Sequence, residues 1–179
     1  FWPGDLTMKG ADAPALSLEQ IIMFTDQSDR VMFCTGRKIA KSLVLECQIL
    51  RQAITEDIKP SQTTEGLITT PRESQMDVLY GRIVKKFHED PLINSLIARE
   101  IGGDKPETHF RNGFKWFWRI EGLGGTDTNM IGIRARRILG DEQQLGNWVC
   151  HDSRKMSALP DCTFLYAGVP NGVRGTPFY

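Results

Sequence analysis

Two short stretches, far apart in the chain, hold the residue types that phosphate chemistry needs. The first is TGRKIAKS, Thr35 to Ser42. The phosphate-cradling template is Gly, any four residues, then Gly-Lys-Ser or Gly-Lys-Thr. Lys41 and Ser42 match it, whereas Thr35 and Ala40 stand at its two glycine positions. A lysine there reaches the β- and γ-phosphates, and the hydroxyl after it is a ligand for Mg²⁺. Gly36, Arg37, Lys38 and Ile39 complete a loop whose backbone N–H groups can wrap an anion. Ala40 departs from the template because its Cβ limits close approach and positive φ. The second stretch is ILGDE, ending on Asp141 and Glu142. An acid at a strand end is a ligand for Mg²⁺, and an adjacent glutamate can polarise an attacking water. Opposite directions on an extended chain would give the two carboxylates separate tasks.

Each stretch also has a plainer reading. TGRKIAKS alone fits a solvated basic turn, and acids in a first helical turn simply complement the dipole. Their order along the chain, each after a strand, favours a nucleotide site.

Positioning them requires alternating strands and helices. RVMFCT (Arg30–Thr35) is a short apolar run that reads as a buried strand. AKSLVLECQILRQAI, free of Gly and Pro, reads as a helix. GLITT (Gly66–Thr70) is a second strand. Pro71 opens a helical stripe through Met76, Leu79, Ile83, Val84 and Phe87, with proline in the first turn. PLINSLIARE reads as another short helix. Asn112-Gly113 joins two aromatic-rich runs as a hairpin. LGGTDTN is a loop, RRILGDE a strand ending on the two acids, and DCTFLYAG a last strand before the turn-rich VPNG. The pattern predicts an α/β fold with a mostly parallel sheet and helices on both faces.

In motif order, about residues 15–179 resemble the ATPase domain of the viral, tailed-phage type, terminase large subunit. The resemblance rests on Arg37 four residues before Lys41, on TPRESQMDVLYGRI, on FRNGFKWFW, on IRARRILGDE and on LYAGVPNG. It implies a P-loop NTPase fold of the ASCE, RecA-like kind over residues 1–179. Residues 1–29 would be a lead-in and 30–179 the core, without the nuclease domain of the longer family members. It further implies an Mg²⁺-dependent ATP hydrolase that drives double-stranded DNA into a capsid. ATP would be held by Thr35 to Ser42, with Gln20 reading the adenine edge, although an exposed helix position is the plainer reading of Gln20. Ser42 and Asp141 would hold Mg²⁺, and Glu142 would activate water. Arg37 would stabilise the γ-phosphate. Ala167, Gly168, Val169, Pro170, Asn171 and Gly172 would couple phosphate loss to movement. Implied partners are a portal protein, a small terminase subunit and further copies in a ring. The implied setting is the host cytoplasm, with transient docking on the procapsid. Ala135 and Val169 depart from the family's usual Gly and Thr, and Gly140 interrupts an otherwise apolar strand. A helicase-like DNA-dependent ATPase and a nucleotide-binding assembly module without turnover are the alternative readings.

Composition limits the choice. Lys plus Arg and Asp plus Glu both number 22, so bulk basicity gives no case for nucleic acid and any such contact must be local. Cys34, Cys47, Cys150 and Cys162 show no zinc or disulfide spacing with each other or with His88, His109 and His151, so reduced thiols are expected. No apolar run reaches spanning length, and no signal peptide is visible. The start at Phe1 and the end at Tyr179 read as a piece of something longer. Trp116 and Trp118 share a strand face, where a core role outweighs base stacking. Lys85-Lys86 reads as a solvated helix face rather than a DNA contact. Cys150-His151-Asp152 is discounted as a nucleophilic set, because adjacent residues rarely align for it.

Overall fold

The computed structural model describes residues 17–26, 28–35, 41–55, 65–121, 130–146 and 148–169, with backbone only at 52, 53, 55 and 148–150. In order these form α1 (Leu18–Thr25), β1 (Arg30–Cys34), α2 (Lys41–Thr55), β2 (Glu65–Thr70), α3 (Glu73–Glu89), α4 (Pro91–Leu96) and β3 (Ile97–Ile101). Then come β4 (Glu107–Phe110), β5 (Lys115–Ile120), β6 (Ala135–Gly140), a 3-10 turn (Gln143–Leu145), α5 (Trp148–Ser157) and β7 (Ala158–Gly168).

The strands form one sheet in the order β1-β7-β6-β2-β5-β4-β3. β1, β7, β6, β2 and β5 are mutually parallel, while β4 and β3 add on antiparallel. The strand before the Thr35–Ser42 loop is therefore separated from the strand before Asp141 by β7. Because the five strands are parallel, their carboxyl ends share one edge, the place where open α/β sheets bind ligands.

Each face of the sheet has its own core. On one, Leu45 and Ile49 of α2 and Leu79, Ile83 and Phe87 of α3 pack on Ile68, Trp116, Trp118, Leu139 and Leu165. Both tryptophans are fully buried, and their N–H groups donate to Ile49 O at 3.3 Å and Thr108 Oγ1 at 3.2 Å. They are core residues and not a stacking platform. Met23 and Phe24 of α1 pack on Val44 and Cys47 of α2. On the other face Leu67, Ile138, Phe164 and Tyr166 cluster, and Arg154 of α5 lies over the Tyr166 ring at 4.9 Å.

Five local expectations change. β1 is not the buried strand that RVMFCT suggested: it stands at the edge of the sheet, with Arg30, Met32 and Cys34 exposed. Proline does not sit in the first turn of α3: the helix starts at Glu73 with Arg72 as its cap, and Pro71 precedes it, buried. PLINSLIARE is not one helix. Asp90 caps α4 by accepting from the N–H groups of Leu92 and Ile93, and the helix ends at Leu96. Residues 97–101 are then drawn into β3, because antiparallel pairing with β4 satisfies their backbone groups. RRILGDE loses its strand geometry after Gly140, so both acids lie beyond β6. A helix, α5, occupies the segment around Cys150-His151-Asp152, where no element was expected. The loop LGGTDTN lies outside the described residues.

Candidate functional site

The strand ladders continue one residue past the regular strands and fix the backbone of the site. Thr35 N donates to Gly168 O at 3.3 Å, Asp141 N to Thr69 O at 3.0 Å, and Glu121 N to Thr70 O at 2.9 Å. Thr35, Asp141, Glu121 and the end of β7 are thus brought to one edge. Gly36 to Ala40 lie outside the described residues, Arg37 among them, as do Pro170, Asn171 and Gly172.

Lys41 opens α2 and is only 7% exposed. It stands where the free N–H groups and dipole of a helix start favour an anion. One residue on, Ser42 Oγ donates to Asp141 Oδ2 at 2.9 Å, across the end of β7. Asp141 Oδ1 accepts from the N–H of Glu142 at 3.0 Å. Burial pushes the Asp141 carboxyl pKa up; the Ser42 hydroxyl and the Glu142 N–H pull it back, the Glu142 charge raises it, and Arg82 lowers it. A buried carboxylate beside a hydroxyl is a pair of hard oxygen donors, the chemistry that Mg²⁺ prefers. Among the described residues no group of three or more His, Cys, Asp or Glu is placed to hold a metal ion.

Glu142 is the one non-glycine residue with positive φ among the described residues, at φ 54° and ψ 34°. Its separation from Asp141 comes from this left-handed turn and not from an extended chain, which corrects the sequence expectation. Such conformations cost about 1–3 kcal/mol and concentrate at functional sites. The Glu142 carboxylate accepts from Gln144 Nε2. Gln144 Oε1 accepts from the N–H of Val169, at the end of β7, at 3.0 Å.

Beneath the turn lies a buried polar group that residue types did not announce. Glu121 Oε1 accepts from Arg154 Nη1 and, at 2.8 Å, from Gln143 Nε2, which also donates to Asp141 O at 3.2 Å. Glu121, Gln143 and Arg154 are 3%, 0% and 0% exposed. A charge so buried is tolerated only when paired and hydrogen-bonded. The group ties α5, β5 and the Asp141 turn together. Gly140 is needed here, since a Cβ would come within 2.9 Å of Gln143 and Tyr166 side-chain atoms. On the opposite flank, buried Glu46 of α2 pairs with Arg82 and Lys86 of α3, so Lys86 is not simply a solvated lysine. Lys85 is exposed and pairs loosely with Glu89 at 3.6 Å.

Gln20 is not exposed as its helix position suggested. It is 9% exposed, and its Oε1 accepts from Ser17 N at 2.8 Å while Ser17 Oγ accepts from Gln20 N at 3.3 Å. This capping box fixes the start of α1. Cys34, Cys47 and Cys162 are free thiols.

No family model matches the chain. No curated protein matches it either. Solved structures do. The large terminase ATPase domain of Thermus phage P74-26 superposes with a TM-score of 0.62 at 15% identity, over 87% of this chain and 65% of its own. The large terminase of bacteriophage HK97 gives 0.63 at 13%, over 88% and 33%. The large terminase of a thermophilic bacteriophage, solved in complex with ADP, gives 0.61 at 10%, over 85% and 38%. This chain thus spans 65% or less of the length of these three proteins, and it has the P-loop NTPase fold of the phage large terminase ATPase domains.

Proposed function

We propose that this chain is the ATPase motor domain of a viral DNA-packaging terminase, which hydrolyses ATP to drive double-stranded DNA into a capsid. The observation that carries the reading is the 2.9 Å bond between Ser42 and Asp141, with Lys41 buried beside it at the start of α2. A chance basic turn has no reason to meet a buried acid just past the end of a non-neighbouring strand. The fold similarity to terminase ATPase domains points the same way.

In this reading Lys41 neutralises phosphate charge, aided by the helix terminus. Ser42 and Asp141 would hold Mg²⁺, which when bound would offset the negative charge of the phosphates. Glu142 orients a water and takes its proton as the water oxygen bonds to the γ-phosphorus. The bond from that phosphorus to the β-phosphate oxygen breaks, leaving ADP and inorganic phosphate. A positioned base of this kind contributes about 10²–10⁴-fold in rate. Arg37 neutralises charge on the transferring group, and Gln20 reads the adenine edge. The segment Ala167–Gly172 transmits phosphate loss to the moving parts. The partners proposed are DNA, a portal protein, a small terminase subunit and further copies in a ring. The motor would work in the host cytoplasm, docked transiently on the procapsid. No helix among the described residues is long and apolar enough to cross a membrane.

Calorimetry with Mg-ATP and steady-state phosphate release test the reading. Lys41→Ala is expected to weaken binding at least tenfold, about 1.4 kcal/mol. Glu142→Gln is expected to bind as the parent does and to release no phosphate. Unchanged affinity in the first variant would return TGRKIAKS to the status of a basic turn. Unchanged turnover in the second would remove Glu142 from the chemistry.

A further inference from the structure

The side chain of Gln144 joins two groups that the proposed mechanism treats separately. Its amide N–H donates to the Glu142 carboxylate, and its oxygen accepts from Val169 N at 3.0 Å. Chemistry dictates that orientation. A reversed amide would set its NH₂ against a backbone N–H and its oxygen against a carboxylate. Gln144 is 6% exposed, so water does not readily replace either partner.

The turn that carries Gln144 is held at its own base. Leu145 N donates to Glu142 O at 3.0 Å, and Gly146 N to Gln143 O at 3.0 Å. The Gln143 side chain anchors the turn to Glu121 and to the Asp141 carbonyl. A planar amide on a fixed turn has little slack. A shift of the backbone at Val169 must stretch its bond to the Gln144 oxygen or turn the amide, and turning the amide moves its N–H away from Glu142.

We propose that Gln144 is a positioning residue that ties the Glu142 carboxylate to the backbone at the end of β7, so that Glu142 and Val169 change position together. While the tie holds, one carboxylate oxygen is occupied by an N–H. When the end of β7 moves, that oxygen is freed to face water. The inference rests on the reading of Glu142 as the catalytic base and of the end of β7 as the coupling segment.

Its test does not depend on turnover. Hydrogen exchange at the Val169 amide is measured by NMR on the intact protein, in the parent and in Glu142→Ala, Glu142→Gln and Gln144→Ala. Glu142→Ala removes the far anchor of the tie and is expected to speed Val169 exchange several-fold. Glu142→Gln leaves an oxygen that accepts the same N–H, and is expected to keep the parental rate. Gln144→Ala should speed exchange, and adding Glu142→Ala to it should bring no further change. Val169 exchange that ignores Glu142→Ala overturns the proposal, even if Gln144→Ala does not fold. Phosphate release retained in Glu142→Gln would instead defeat the base assignment, so the two failures are separable.

Discussion

Asp141 is held against its own charge. Burial favours its protonated form, and only the Ser42 hydroxyl, the Glu142 N–H and the Arg82 charge favour the ionised one. A carboxyl whose folded pKa lies above its unfolded value adds most stability below the unfolded value. That contribution is lost as pH rises through the folded pKa. As pH rises toward neutrality that loss makes Asp141 a burden on the metal-free protein. Asparagine keeps the shape: its oxygen can take the Glu142 N–H, and its NH₂ can donate to Ser42 Oγ. Asp141→Asn is expected to melt a few degrees above the parent at pH 7 without metal, and the gap should shrink as pH falls through the folded pKa. It should also lose any stabilisation by Mg-ATP. Thermal melts at several pH values check both, and a variant less stable than the parent at pH 7 would show that Asp141 is stabilising rather than poised. Asp141 was legible only in company: its acid pair alone fits a helix start, and the order of the two motifs, each after a strand, decided for a nucleotide site. Gln144 and the Glu121–Arg154 pair were not legible. Their types are common, and their partners lie 25 and 33 positions away, brought close only by register.

Gly66 shows how much of the sheet depends on one fit. A Cβ there would fall within 2.9 Å of three atoms of the Trp116 ring, which has no room to retreat at 0% exposure. Trp116 also links β5 to α2 through Ile49 O. Gly66→Ala is expected to cost about 1–3 kcal/mol, as overpacking of cores does, and to lower the urea midpoint without a change in slope. Combining it with Trp116→Phe should recover part of the loss, because residues in contact are not additive. Gly66→Ala as stable as the parent would mean that the ring is not locked. β1, β2, β6 and β7 were legible as apolar runs bounded by turn signals, β4 and β5 through the Asn112-Gly113 turn, and α2 and α3 through their helical apolar stripes. β3 was not, since a short apolar run fits either period and the neighbouring β4 decides. α5 was missed because its polar run His151–Lys155 shows no apolar period, and the residues described as buried in it, Arg154 and Ser157, are polar.

The arginines near the site bear on whether one copy suffices. Stabilising charge on the transferring phosphoryl group by an arginine is worth about 10³–10⁵ in rate. Arg154 is fully buried against Glu121 and is not free to turn toward a γ-phosphate, whereas Arg82 pairs with Glu46 and lies near enough to Asp141 to lower its pKa. The two sources to be separated are Arg37, within the loop itself, and an arginine from a neighbouring copy. The proposed ring would supply the second. The protein is therefore expected to hydrolyse ATP slowly when dilute and faster per subunit as it assembles, most of all with portal and DNA present. Specific activity measured against concentration, with and without those partners, checks it. In the same series Arg37→Ala separates the two sources: if Arg37 acts within its own subunit, the dilute rate falls and the rise on assembly is small. A rate that is high in dilute monomer and flat as copies associate would rule out the ring dependence and make this a self-sufficient ATPase.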